Sequence, residues 1–195
     1  SELTEEIINF LKEDYITNLN ILGVLENSQK AQVYVDDCEK PTGVLVRENQ
    51  YMHYLYSRND SFLEEVADSY LKDGFYGFAG VELSIAEKLL EKLNHRASLD
   101  WVNPCDLYYM PSENLDLSLM KNQVRAIALE DAEEVDKYYT YRSDTSLRTI
   151  KNDISSRPSA AVYVNGEIAC WVLIHSDNSM GILYSKEKFR RNGYA

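Results

Sequence analysis

Part of this chain is written twice. Ala31-Gln32-Val33-Tyr34-Val35 matches Ala160-Ala161-Val162-Tyr163-Val164, and Met52-His53-Tyr54-Leu55-Tyr56-Ser57-Arg58 matches Met180-Gly181-Ile182-Leu183-Tyr184-Ser185-Lys186, both at nearly one offset. Similar segments at a fixed spacing mark a repeated supersecondary unit. A chain carrying one unit twice needs two cores, and 195 residues at 45% hydrophobic content suffice for two small domains.

The surroundings of the two copies follow one plan. Residues 5–14 put Ile7, Ile8 and Leu11 on one helical face, and Leu19, Ile21, Leu22 and Leu25 predict a second helix before Asn27. The period then changes to β-branched and aromatic runs at 31–35, 43–47 and 51–56, separated by Asp36-Asp37, Lys40-Pro41 and Glu48-Asn49, which predicts an antiparallel meander. A helix capped by Ser61 with Phe62, Val66, Tyr70 and Leu71 inward, a strand at 75–81, a helix at 84–93 and a broken strand or hairpin at 99–110 complete a first domain, residues 1–115. Its boundary falls in the polar stretch Pro111-Ser112-Glu113-Asn114.

The second domain, residues 121–195, opens with a strand at 124–129. Asp131 and Glu134 read as a capping box for a helix at 132–141, and Leu147, Ile150 and Ile154 mark another helix ending before Pro158. Strands follow at 160–164, 168–175 and 180–184, joined by the hairpin signal Asn165-Gly166 and by Ser176-Asp177-Asn178. Two helices thus precede three strands in each copy. The fold class is α+β with mixed, mainly antiparallel sheets.

Charge narrows the partners. A formal net charge of -12 argues against nucleic acid, whose affinity comes largely from Lys and Arg displacing phosphate counterions. No apolar run approaches the roughly 20 residues of a membrane-spanning helix, and the acidic start Glu2-Leu3-Thr4-Glu5-Glu6 does not read as a secretory signal, so the expectation is a cytoplasmic protein with no membrane partner. Cys38, Cys105 and Cys170 are odd in number and far apart, which predicts reduced, structural thiols rather than a disulfide frame or zinc site. His53 and His95 have no partner at metal-ligand spacing, and no metal is expected.

Against that acidic background Lys186, Lys188, Arg190 and Arg191 crowd the last ten residues. The same stretch holds Arg190-x-x-Gly193-x-Ala195 directly after a predicted strand. Were a helix to open there, its first amides would converge on an anion at the positive end of the helix dipole, and the arginines would add the charge a pyrophosphate needs. Only the second copy has this loop; after Tyr56-Ser57 the first passes into Arg58-Asn59-Asp60-Ser61.

A strand, two helices, three antiparallel strands and an R-x-x-G-x-A loop after the last of them: from residue 124 to 195 the chain resembles the GNAT superfamily of coenzyme A-dependent N-acyltransferases. It is most similar to the glycine N-acyltransferase-like branch, in which a degenerate first copy precedes an active one and a tryptophan sits in the second meander strand, as Trp171 does here. The resemblance implies tandem GNAT-like domains, the second incomplete at Ala195: either the natural chain runs on past that residue or the second copy is a remnant. It implies an N-acyltransferase acting on acetyl-CoA or another acyl-CoA, with a small-molecule amine or amino-acid acceptor attacking the thioester directly. Arg190, Arg191, Asn192, Gly193, Tyr194 and Ala195 would hold the coenzyme A pyrophosphate, and Leu183 and Tyr184 would offer main-chain groups to the pantetheine and the acyl carbonyl. The acceptor would enter by the loop Tyr141-Arg142-Ser143-Asp144, where Tyr141 and Arg142 are the candidates.

One departure matters. The branch often has a glutamate at the start of the strand before the loop, and this chain has Ser179 there. Ser179, His175 and Asp177 are then the local candidates for the general base, or the amine arrives neutral, or the base lies beyond residue 195. A non-catalytic module that binds acyl-CoA or a protein partner is the alternative function. The dense group Tyr138, Tyr139 and Tyr141 is explained by packing.

Overall fold

Thr4 starts the first helix: its hydroxyl accepts from the Ile7 amide, and Glu5 and Glu6 lie against the positive helix end. The computed structural model that shows this describes residues 2–195, apart from the side chain of His95. The chain divides into two compact units, Ser1–Tyr109 and Met110–Ala195.

In the first unit α1 (Glu5–Glu13) and α2 (Leu19–Asn27) precede β1 (Gln32–Val35), β2 (Gly43–Arg47) and β3 (Met52–Ser57), an antiparallel meander. α3 (Asp60–Glu65) runs on through one π-helical turn (Val66–Tyr70). Its cap is Asn59, not Ser61: the Asn59 side chain accepts from the Ser61 amide, while the Ser61 hydroxyl donates to that same oxygen. The strand expected at 75–81 shrinks to β4 (Gly77–Phe78), parallel to β3, and α4 (Leu83–Leu93) follows. Ile7, Leu11, Val24, Leu45, Leu63 and Val66 lie at the centre of its core. No strand forms at 99–110. Pro104 cannot donate to a ladder, and Leu99, Trp101, Val102, Leu107 and Tyr108 are exposed.

The second unit repeats the order. α5 (Ala132–Lys137) and α6 (Ser146–Ser156) precede β5 (Ser159–Val164), β6 (Glu167–Ile174) and β7 (Met180–Ser185), again an antiparallel sheet in sequence order. The β5–β6 turn is the predicted one, with Asn165 and Gly166 both at positive φ (51° and 82°), as a two-residue hairpin requires. The strand expected at 124–129 is reduced to a single antiparallel bridge between Arg125 and Ala161. Side chains take over from the ladder there: the Ile127 amide donates to the Ser159 hydroxyl and the Ala128 amide to the Tyr163 hydroxyl. Tyr163 in turn donates to Asp131 at 2.6 Å, so Asp131 caps nothing and the expected capping box is not formed.

α5 also stops four residues before its predicted end. The buried Asp136 carboxylate accepts from Arg142 Nε (2.9 Å) and from the Ser146 hydroxyl, which draws the chain into a tight loop after Tyr138. Trp171, 1% exposed, anchors the core beneath this loop, with ring centroids 5.9 Å from Tyr138 and 5.3 Å from Tyr184. Among the described residues no helix is long and apolar enough to cross a membrane. Of the three thiols only Cys170 is buried, taking a hydrogen bond from the Ser185 hydroxyl; Cys38 and Cys105 are exposed and have no core role.

Candidate functional site

The pairing of β6 with β7 is interrupted. Trp171 faces Tyr184 and Leu173 faces Gly181, so Val172 alone lies opposite two residues, Ile182 and Leu183. This is a β-bulge, and it leaves main-chain groups without a ladder partner. Ile182 takes the strain at φ 52°, a left-handed conformation that a β-branched residue adopts only when its surroundings enforce it, at a cost of about 1–3 kcal/mol. Its side chain packs against the core while that of Leu183 turns outward.

The bulge forms one wall of a cleft of about 240 Å³, lined by Gly181 to Tyr184 on β7, by Tyr138 to Tyr141 on the loop after α5, and by His175 at the end of β6. The volume admits a small group, not a nucleotide. Its walls are aromatic: Tyr138 stacks on Tyr184 at 4.6 Å, and Tyr139 meets Tyr141 edge to face at 5.9 Å. Burial, and then the charges of Tyr141 and Asp153, push the Tyr139 hydroxyl above its usual range. Tyr138 and Tyr139 pack against the core as expected, and with Tyr141 they also line the cleft.

The imidazole of His175 has one ring nitrogen fixed. Nδ1 lies 3.2 Å from Asp153 Oδ2, and Asp153, 2% exposed, also holds Arg157 one turn along α6. A carboxylate only accepts, so the proton of this contact sits on Nδ1, and in the neutral imidazole Nε2 is the acceptor. The ring fits because residue 181 is glycine: a Cβ there would stand 2.2 Å from His175 Nε2.

The other sequence candidates fare differently. Asp177 accepts from the Ser179 amide (3.0 Å) and hydroxyl (2.6 Å), so both residues are spent on closing the exposed β6–β7 turn, and neither lines the cleft. Tyr141 lines it; Arg142 does not, being turned to Asp136 and to a separate acidic groove with Glu133 and Glu134. Leu183 and Tyr184 are in the cleft wall.

The basic cluster divides as well. Lys186 is buried between Glu134 (2.5 Å) and Glu167 (3.1 Å), and Lys188 pairs with Glu167 at 2.6 Å. Desolvation pulls the Lys186 ammonium down, but bonds to the two carboxylates win and raise it above its usual value. These two lysines hold structure and have little charge to spare for a ligand. Arg190 folds back along β7, with Nε donating to the Ser185 carbonyl at 3.1 Å and its guanidinium over the Tyr184 ring.

Residues 190–195 do not open a helix. They form an irregular turn after a short 3-10 segment, with Arg191 and Gly193 at positive φ (65° and 72°), and none of them lines the cleft. The carbonyls face inward to side chains, Phe189 and Arg190 to the Asn192 amide group and Gly193 to Asn122. Arg190 reaches the cleft wall through Tyr184.

Sequence reasoning missed Asp153 and Arg157, although their i, i+4 spacing on a helix was a readable ion-pair signal. It also missed Gly181, a glycine inside a strand pattern, which flags close approach of another group. Among the described residues no group of three or more His, Cys, Asp or Glu is placed to hold a metal ion.

No protein-family model matches this chain, and no curated protein does. The fold has a counterpart in an X-ray structure of a Drosophila protein, a structural-genomics target, at 15% identity and a TM-score of 0.62 over 92% of this chain and 70% of that one. At that identity the likeness concerns the fold, a mixed α/β arrangement with two mainly antiparallel sheets.

Proposed function

We propose that the second unit is the acyl-CoA-binding domain of a tandem GNAT-like N-acyltransferase, and that the first unit is a degenerate copy without a phosphate loop. The observation that carries this reading is the order of parts along β7: a bulge on a cleft wall, then within a few residues a turn with Gly193 at positive φ and an arginine leaning on that wall. A thioester carbonyl is polarised by NH groups aimed at its oxygen, and an adjacent nest of amides suits the diphosphate of the same molecule. The acyl donor is acetyl-CoA or another acyl-CoA, and the small aromatic cleft takes the acceptor amine.

Calorimetric titration of the full-length protein with acetyl-CoA tests the reading. Saturable heat is expected, lost when Arg190 and Arg191 are both changed to Ala; heat no larger than dilution sinks it. A second reading, a module that binds acyl-CoA without transferring the acyl group, is favoured by the engagement of Lys186 and Lys188 with carboxylates and of Ser179 with its own turn. Thiol release from acetyl-CoA over a panel of amines separates the two, since a binding module yields none.

A further inference from the structure

Three side chains from two elements converge behind the cleft. Asp153 comes from α6, Arg157 from its C-cap and His175 from just after β6, and Asp153 is the shared centre. Arg157 is itself nearly buried; its Nη1 donates to Asp153 and, at 3.5 Å, to the Ser156 hydroxyl, while its Nε has no hydrogen-bond partner among the described residues. A buried carboxylate neutralised on one side by a guanidinium and facing an imidazole on the other is a rigid mount for that imidazole. Only the His175 edge reaches the cleft.

We infer that His175 is the residue that takes the proton from the attacking amine, and that Asp153 and Arg157 position it. This rests on the acyltransferase reading of the same cleft. The amine nitrogen forms a bond to the thioester carbonyl carbon, and the C–S bond breaks with its electron pair leaving on sulfur. One N–H proton passes to His175 Nε2 and from there to the thiolate, giving the amide and the free thiol. Asp153 accepts from Nδ1–H throughout and so keeps Nε2 as the acceptor. Gly181 makes room for the ring, and the titratable groups facing it are Asp153 and Arg157 on α6, Tyr139 and Tyr141 on the loop, and Tyr184 on β7.

The test uses the full-length protein with acetyl-CoA and three amines: tyramine, glycine and lysine. His175→Gln is expected to cut kcat by about 10²–10⁴-fold, to leave the acetyl-CoA Kd within twofold, and to remove the acidic limb of the kcat pH profile. Asp153→Asn is expected to lower kcat and shift that limb, and Asp153→Glu to restore part of the rate. Nitrogen NMR of His175 gives a readout that needs no turnover: Nδ1 protonated and Nε2 bare at pH 8 in the wild type, with this preference lost in Asp153→Asn. A bare Nδ1 in the wild type overturns the proposal, as does a His175→Gln enzyme with unchanged kcat and pH profile, and both leave the acyltransferase reading standing. Acetyl-CoA binding without turnover on any of the amines overturns the proposal and favours the binding module. Absence of acetyl-CoA binding to the wild type removes the reading and the proposal together.

Discussion

The two meanders share an order of elements and diverge at their third strands. β3 pairs with β2 in unbroken register from Gly43↔Ser57 to Arg47↔His53, is buried along nearly its whole length, and has its far edge partly covered by β4. β7 is interrupted by a bulge, half exposed, and hydrogen-bonded on one side only. After β3 the chain enters a helix capped by Asn59; after β7 it enters the Arg190–Ala195 turn. An exposed, irregular edge strand costs stability and risks pairing with other chains. Its presence in one copy only is what the proposed reading builds on, a site in the second unit and a scaffold in the first.

The contrast predicts that the two cores tolerate damage separately. Trp171→Ala empties the largest fully buried side chain, and a loss of about 3–5 kcal/mol is expected in the second unit. Leu45→Ala does the same to the first unit, by about 2–5 kcal/mol. Differential scanning calorimetry of each variant should show one transition moving and the other staying. Both moving together in both variants would break the two-unit comparison.

A pair of glycines sharpens it. A Cβ at Gly43 would lie 2.1 Å from the Phe62 ring, which is buried in the first core; a Cβ at Gly181 would meet the imidazole of His175, which is part-exposed and can yield only by giving up its contact to Asp153. Gly43→Ala should therefore cost about 1–3 kcal/mol by overpacking. Gly181→Ala should cost under about 1 kcal/mol while breaking the contact to Asp153. Denaturant unfolding measures the first difference, and the His175 imidazole signals report the second. Equal stability losses would mean that His175 is as rigidly packed as a core residue.

What the sequence revealed follows the same division. Periodicity placed α1, α2, α6 and the six meander strands to within one or two residues, because each buries one face against a core and that burial dictates the pattern. It failed where side chains replace the backbone ladder. Ser159 and Tyr163 take the amides of Ile127 and Ala128, and Asp136 folds the chain after α5, none of which leaves a periodic trace. In the site the sequence supplied His175, Leu183, Tyr184 and Tyr141, but the choice of His175 over Asp177 and Ser179 required coordinates. Only the fold brings Asp153, twenty-two positions away, to the imidazole. The charge cluster misled for a related reason: Glu134 and Glu167, distant in sequence, come to rest on Lys186.

A pH difference between the units should follow. His53 is buried in the first sheet, and desolvation holds its imidazole below the usual 6.5 in spite of bonds to the Tyr51 and Gly77 backbone. In the unfolded chain the same residue takes its proton near 6.5, so folding there is opposed by protonation. The stability is complete above that pH and is lost as pH falls from about 6.5 toward the folded value. Asp36, whose carboxyl burial raises but whose bonds from Thr42, Gly43 and Asn59 bring below 3.8, adds its own loss only at lower pH. The first transition of the wild type should fall between pH 7 and 5, and His53→Gln should flatten that slope. An unchanged slope in the variant would place the sensitivity elsewhere.

The smallest effects lie in the segments that leave β3 and β7, and they carry the comparison furthest. Asn59 caps α3 and also donates to Asp36 and Thr42, so it ties the end of β3 to the β1–β2 loop. Asn59→Ala should cost about 1 kcal/mol, as loss of a cap does. Arg190, five residues beyond the end of β7, is exposed and gives its guanidinium to the Ser185 carbonyl, to the hydroxyl and ring face of Tyr184, and to the Glu187 carboxylate at 3.9 Å. Arg190→Ala should change stability by less than about 0.5 kcal/mol. A residue that positions a helix is worth stability, whereas on the proposed reading Arg190 is worth affinity. The same Arg190→Ala protein should therefore bind acetyl-CoA about tenfold or more weakly, in line with the roughly 1.5–3 kcal/mol of a charged hydrogen bond. Were thermal unfolding to show Arg190→Ala losing as much as Asn59→Ala, with acetyl-CoA affinity untouched, the turn after β7 would be scaffold like its counterpart, and the asymmetry between the copies would end at the bulge.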